Sequence, residues 1–260
     1  MESQVLDDCA ALLEKHSAAL PRPDAAGSQS AESAIRMLWL AGDHGLRTIR
    51  GMARLLRDDE GNAVLACTLL RPFYELSIRL LWASREPDGW RRLVVYFATE
   101  IRKLANDCKD SPNPGIAELA SKLLQRDRGV EKWKDSSGNA VRPAPNIRTI
   151  LEEIVGHDAQ RGSPFAHAGL GKQQYSILYR ILCRASHAHI EAIGGAFDGM
   201  YSAYACVGAL NAAAHYLTAF IYHTSQSPVK DVSTMLVTFG PLLQCCAGHG
   251  RSTPIGKATQ

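Results

Sequence analysis

From Gly199 to Val229 the chain carries no Asp, Glu, Lys or Arg. A run of that length without charge has to be shielded from water on most sides, by lipid or by the rest of a protein core. Its composition decides between the two. It is rich in Ala and Gly and carries Asn211, His215, His223 and several Ser and Thr, whereas membrane-spanning helices lean on Leu, Ile and Val. The expectation is a helix over about 200–223, buried inside a bundle or in a homodimer interface. A membrane partner is disfavoured.

The rest of the chain repeats the helical spacing. Ile35, Leu38, Trp39, Leu46, Ile49, Ala53 and Leu56 recur at three and four residues and predict a helix from Ser33 to about Arg57. Asn62 is placed to cap the next helix, which is apolar nearly all round to about Ser84 and therefore central. Pro72 inside it should kink it and free the carbonyl of Thr68. Glu86-Pro87-Asp88-Gly89 reads as a turn into a helix from Trp90 to Cys108, and shorter helices follow at Ile116–Gln125 and Ile147–Val155. Residues 127–145 are charged, bear Gly and Pro, and read as a long loop or lid. The segment 161–171 also reads as loop. Helical patterns return at Lys172–Ile193 and at Val229–Cys246, the latter interrupted by Gly240-Pro241.

No alternating strand run occurs, so the fold class is all-α: a single bundle of about seven to nine helices. With 46% hydrophobic and 21% charged residues among 260, a sizeable core is available and wholesale disorder is excluded. Pro21, Pro23 and the small residues to Ser30 separate the first amphipathic segment from the rest. Residues 1–30 are therefore expected to be an N-terminal helical arm and linker, 31–247 the bundle, and 248–260 a disordered tail.

The net charge of +3 is too small to imply nucleic acid by itself. The seven cysteines are an odd number with no C-x-x-C pair, which fits free thiols in a reducing cytoplasm better than a disulfide framework. The acidic start, Met1-Glu2-Ser3 with Asp7 and Asp8, has no secretory character. Phosphate-loop, dinucleotide-fold, nucleophile-elbow and H-E-x-x-H motifs are missing. Cys245, Cys246 and His249 make a poor metal set, because adjacent cysteines point in different directions on a helix. No cofactor and no metal are expected.

Three groups of residues could carry chemistry. Arg71 and Glu75, four apart in an otherwise apolar helix, can pair, and Arg79 extends their stripe. Such charges inside a bundle must be paired or used. Between Tyr179 and His189, Arg180, Cys183, Arg184 and His187 fall on one side of a helix, with His189 close by. A neutral imidazole there can accept a proton, and an arginine can hold a phosphate or an oxyanion. A Cys183 thiol nucleophile lacks a third, orienting residue. Finally, Arg47, Arg50, Arg54 and Arg57 form a stripe that could track a phosphate backbone or simply face solvent.

Leu70-Arg71-Pro72-Phe73-Tyr74-Glu75-Leu76, followed by Trp82 and a Pro-marked turn, resembles the R-x-x-x-E helix of bacterial domain-of-unknown-function family 5677. In that family a later helix carries Tyr, Leu-Ser and His. Tyr179, Leu182, Cys183 and His187 occupy that pattern, with Cys183 in place of the usual Ser. The resemblance covers roughly Ala34 to Phe220 and implies an all-helical domain. The late helix is also similar to HEPN domains, helical and often dimeric metal-independent ribonucleases with four to six residues between an Arg and a following His. Arg180 to His187 and Arg184 to His189 meet that spacing. The residue after the Arg, usually polar there, is Ile181 or Ala185 here.

Three functions follow as expectations. In a HEPN-like ribonuclease or defence-type toxin acting on RNA, Arg180 or Arg184 would stabilise the scissile phosphate and His187 or His189 would act as base or acid. The second is a non-catalytic helical homodimer binding a ligand or partner. The third is a small-molecule enzyme whose pocket joins Arg71, Glu75, Tyr96, Tyr179 and His187.

Overall fold

The structure, a computed structural model, describes residues 2–20, 29–58, 62–126, 133–135, 137–161, 178–187 and 198–223. These form an all-α bundle of eight helices. They are α1 (Glu2–Ala18), α2 (Gln29–Asp58), α3 (Ala63–Arg85), α4 (Gly89–Cys108), α5 (Pro114–Arg126), α6 (Ile147–Arg161), α7 (Arg180–Ser186) and α8 (Asp198–His223). Among the described residues the one β feature is an isolated bridge between Lys134 and Ala140.

The uncharged helix α8 packs most extensively against α3 and also meets α1 and α2. Its small residues allow the close approach. A Cβ on Gly208 would lie 2.5 Å from Leu70 Cδ2 and 3.5 Å from Leu178 Cδ1. Tyr216, Leu217 and Phe220 are fully buried around it. The absence of charge is thus explained by the chain's own core: of the two burials expected of this helix, inside a bundle or in a homodimer interface, α8 shows the first. No helix among the described residues is long and apolar enough to cross a membrane.

His215 of α8 stands 6.2 Å, ring centre to ring centre, from Tyr74 of α3. Burial and the nearby Arg85 push its pKa down to about 4. The folded protein therefore keeps this ring neutral, while the unfolded chain protonates it near the ordinary value of about 6.5. Stability is full above that value and is lost as the pH falls towards 4. The urea midpoint is expected to be lower at about pH 5 than at pH 7, and His215→Gln to remove part of that difference. An identical pH dependence in both proteins would contradict this account.

The N-terminal arm is a correction. Its apolar stripe, Val5, Leu6, Cys9, Ala10 and Leu13, is buried in the same core as α3 and α8. Ser17 Oγ lies 3.2 Å from Tyr216 OH, and His16 meets the Phe220 ring edge-on at 5.6 Å. The helix ends at Ala18, ahead of the prolines, but it belongs to the bundle. The tail, 248–260, and the pattern at Val229–Cys246 lie outside the described residues.

Helix α3 runs through Pro72 without interruption, with the proline exposed. Asn62 does not cap α3; its Nδ2 donates to the Leu55 carbonyl at 3.3 Å and ties the α2 end instead. The α3–α4 turn forms where Pro87 and Gly89 place it. A Cβ on Gly89 would sit 2.4 Å from the Ala83 carbonyl oxygen, which leaves room for glycine alone.

Of the long loop or lid expected at 127–145, the described residues are loop, packed down and not a lid. Residues 133–135 and 137–146 form a strap held to α3 and α4: Ala144 N donates to Arg92 O at 2.9 Å, and Val141 and Ala144 are buried. Arg79 Nη1 donates to the Pro145 carbonyl at 3.2 Å, and Arg91 Nη1 to that of Lys134 at 3.2 Å. The strap delivers α6, whose Glu153 accepts from Trp82 Nε1 at 2.6 Å.

Candidate functional site

Leu178, Leu182 and Ala185 recur at helical spacing and are buried against the α3–α8 groove. With that stripe inserted, Tyr179, Cys183 and His187 run along the flank of α7 that faces α3. On α3 the four-residue spacing of Arg71 and Glu75 puts both side chains on the matching flank.

The four side chains meet. Arg71 Nε donates to Glu75 Oε1 at 3.0 Å, and the Tyr179 hydroxyl donates to the same oxygen at 3.1 Å. Arg71 Nη1 stands 3.2 Å from His187 Nε2. Arginine has donors and no acceptor, so in this contact Nε2 accepts and the ring proton sits on Nδ1. The Arg71 guanidinium also lies 6.0 Å from the Tyr179 ring centre, at the edge of cation–π range. The backbone N–H of His187 donates to the Cys183 carbonyl at 3.0 Å, which fixes the imidazole at the open end of α7.

Burial distinguishes the parts. Arg71 and Glu75 are 24% and 26% exposed, whereas His187 is on the surface. Partial burial alone would lower the Arg71 pKa. The hydrogen bond and charge of Glu75, with Cys183 and Tyr179, outweigh it and hold the guanidinium above its ordinary value. Burial, then the charges of Glu75 and Cys183, push the Tyr179 phenol up, so it stays protonated and keeps donating. The result is a fixed cation, braced from behind by a carboxylate, with a proton-accepting imidazole beside it at the surface. It can hold an anionic oxygen and take a proton from a neighbouring hydroxyl.

The other expected site residues fall elsewhere. Arg180 and Arg184 are each two residues from the buried Leu182, hence about 200° round the helix from it, and they are exposed. The guanidinium that meets His187 is therefore supplied by Arg71 and not by its own helix. His189 lies outside the described residues, as do Cys245, Cys246 and His249. Tyr96 is not in the cluster. The Arg79 guanidinium lies 4.0 Å from its ring centre, and Nη2 donates to its hydroxyl at 3.1 Å. Three arginines of the α2 stripe are in ion pairs: Arg47 with Asp43 at 3.0 Å, Arg50 with Glu14 at 2.8 Å, and Arg57 with Asp7. They clasp α1 to α2 or brace α2 itself, and Arg54 is exposed. Glu153, which accepts from Trp82, stands out in the sequence only as one of the acidic residues of α6.

The thiols differ in kind. Burial pushes Cys9 and Cys67 up to about 12, which leaves them unreactive. Cys183 is partly exposed at the cluster, and none of the five described cysteines is in a disulfide. Among the described residues no three His, Cys, Asp or Glu side chains are grouped to hold a metal. No protein-family model, characterised protein or solved structure matches the chain.

Proposed function

We propose that the protein is a metal-independent ribonuclease of the HEPN-like kind, with Arg71 and His187 at its centre. The observation that carries the reading is the 3.2 Å contact between Arg71 Nη1 and the exposed His187 Nε2, with Arg71 locked by Glu75. An RNA phosphate offers Arg71 Nη1 a stronger acceptor than imidazole. The guanidinium shifts to the phosphate and frees Nε2. His187 then takes the proton of the adjacent 2′-hydroxyl, the O2′–P bond forms and the P–O5′ bond breaks. The departing 5′ oxygen takes a proton from water. The products are a 2′,3′-cyclic phosphate and a 5′-hydroxyl. Arg71 stabilises the extra charge on the pentacoordinate phosphate. Exposed Arg180 and Arg184 supply contacts to neighbouring phosphates. The proposal places the protein in the cytoplasm, where RNA is found and thiols such as Cys183 stay reduced.

The test is cleavage of single-stranded RNA by the purified chain in EDTA, beside the same strand with every 2′-hydroxyl methylated. Cleavage of the first alone, leaving a cyclic phosphate, is expected. Cleavage of both strands, or of neither, counts against the mechanism.

A second reading draws on the ion pairs of Arg47, Arg50 and Arg57, which remove much of the phosphate-binding stripe. There the Arg71–Glu75–Tyr179–His187 cluster binds a small anion or clasps α7 to α3 without turnover. RNA would then survive intact, while Arg71→Ala would still lower the thermal midpoint.

A further inference from the structure

Helices α3 and α8 run parallel, since their contacts rise together along both. Cys67 Sγ donates to the Tyr201 carbonyl at 3.4 Å, Leu70 lies where a Cβ on Gly208 would be, and Tyr74 faces His215. The polar side chains in and around this seam find partners inside the protein. Cys9 Sγ donates to the Ala209 carbonyl at 3.9 Å, Ser77 Oγ to that of Tyr74 at 2.8 Å, and Thr218 Oγ1 to that of Ala214 at 2.7 Å. The phenol of Tyr216, next to His215 in the chain, meets Ser17 Oγ at 3.2 Å. Tyr74 OH and His215 Nδ1 break the pattern. Tyr74 is fully buried, both atoms are shielded from solvent, and among the described residues neither has a hydrogen-bond partner. Their rings are nevertheless neighbours, with centres 6.2 Å apart and planes tilted by 57°. Protein interiors leave very few such atoms, because a buried polar group without a partner loses more than an ordinary hydrogen bond returns.

We propose that one buried water molecule bridges Tyr74 OH and His215 Nδ1 in the seam between α3 and α8. The chemistry of the two atoms selects water. A phenol hydroxyl both donates and accepts, while Nδ1 of a neutral imidazole does one or the other according to its tautomer. Water does both, so it satisfies the pair in either tautomer. Burial, and then the nearby Arg85, keep the His215 ring uncharged, so the bridging group does not have to be a counter-ion to it. An apolar occupant would leave both atoms unpaired. Interior waters are held by two to four polar partners. Asn211, buried one turn before His215 on α8, carries its amide on the same side of the helix and provides a third. The loss of freedom on fixing one water is smaller than the loss from two buried polar atoms left unbonded.

Two measurements on the full chain test this. In a crystal structure at about 2 Å or better, one density peak is expected within about 2.6–3.2 Å of both Tyr74 OH and His215 Nδ1. No peak there, a direct hydrogen bond between the two side chains, or a peak with the anomalous signal of a halide overturns the proposal. Thermal unfolding of Tyr74→Phe reads the same joint in solution through the sign of its effect. The substitution keeps the ring and its packing and removes only the hydroxyl. If that hydroxyl bonds a water, the midpoint is expected to fall by about 2–4 °C. If it is buried without a partner, its removal relieves an uncompensated polar group, and the midpoint stays or rises. Either of the latter results overturns the proposal. Neither measurement reads RNA, so the outcome is separate from that of the nuclease reading.

Discussion

Trp82→Ala is expected to cost about 3–5 kcal/mol of stability, the range for removing a large buried aromatic side chain. Trp82 is almost completely buried near the end of α3. Its ring also joins two other elements. The indole N–H donates to Glu153 of α6 at 2.6 Å, and the Arg92 guanidinium of α4 lies 4.8 Å from the ring centre. Truncation opens a cavity and at the same time strips Glu153 of its donor. Trp82→Phe separates the two effects. Most of the volume stays, the hydrogen bond goes, and the expected cost falls to about 1–3 kcal/mol. Urea unfolding with an unchanged slope reads both values. A loss below about 1 kcal/mol for Trp82→Ala would show that the α3–α4–α6 corner is not packed as described.

His187→Ala is expected to lower the RNA cleavage rate by a factor of about 10² to 10⁴, the range for loss of a positioned general base. The same change should move stability by no more than about 0.5 kcal/mol, because the ring is on the surface and its side chain fills no core space. This combination matters. A residue serving only to clasp α7 to α3 would lower the unfolding midpoint and leave chemistry, if any, in proportion to the folded fraction. Equal cleavage by His187→Ala and the unaltered chain would remove the imidazole from the mechanism.

Much of the architecture is legible in the sequence because helices announce themselves locally. The three–four spacing places α2 to α5 within about four residues of their observed ends, while α6 runs six residues past its expected end at Val155. The uncharged run from Gly199 to Val229 correctly foretells a buried helix at α8. What covers that helix is not local information. Its cover is α1, α2 and α3, and the loose look of the Pro- and Ser-bearing stretch after α1 hides the fact that Leu6, Cys9 and Leu13 belong to the same core. Asn62 illustrates the same limit on a smaller scale. An Asn before an apolar run suits a helix cap, but a carbonyl at the end of α2 is within reach and takes the side chain.

The site divides in the same way. Arg71 with Glu75 is a four-residue pair, and Tyr179, Cys183 and His187 are successive turns of one flank, so each half is visible alone. Their union is not, since 116 positions separate Arg71 from His187. The spacing rule that joins an Arg to a following His draws attention to Arg180 and Arg184. The depth at which Leu182 is inserted turns those two outward and brings Arg71 from α3 to the imidazole instead. Nothing in the sequence shows that Tyr96 has a partner of its own. The buried Arg79 claims it first, with a hydrogen bond and a stacked guanidinium.

Which arginine serves His187 is settled by one panel: EDTA-resistant RNA cleavage by Arg71→Ala, Arg180→Ala and Arg184→Ala beside the unaltered chain. Arg71→Ala is expected to lose a factor of about 10² to 10³ in rate, as for removal of a preorganised donor to a developing oxyanion. The two α7 variants are expected to retain their maximal rate and to bind RNA more weakly with a shallower salt dependence. Full activity in Arg71→Ala, with loss in Arg180→Ala or Arg184→Ala, would contradict the site as built here.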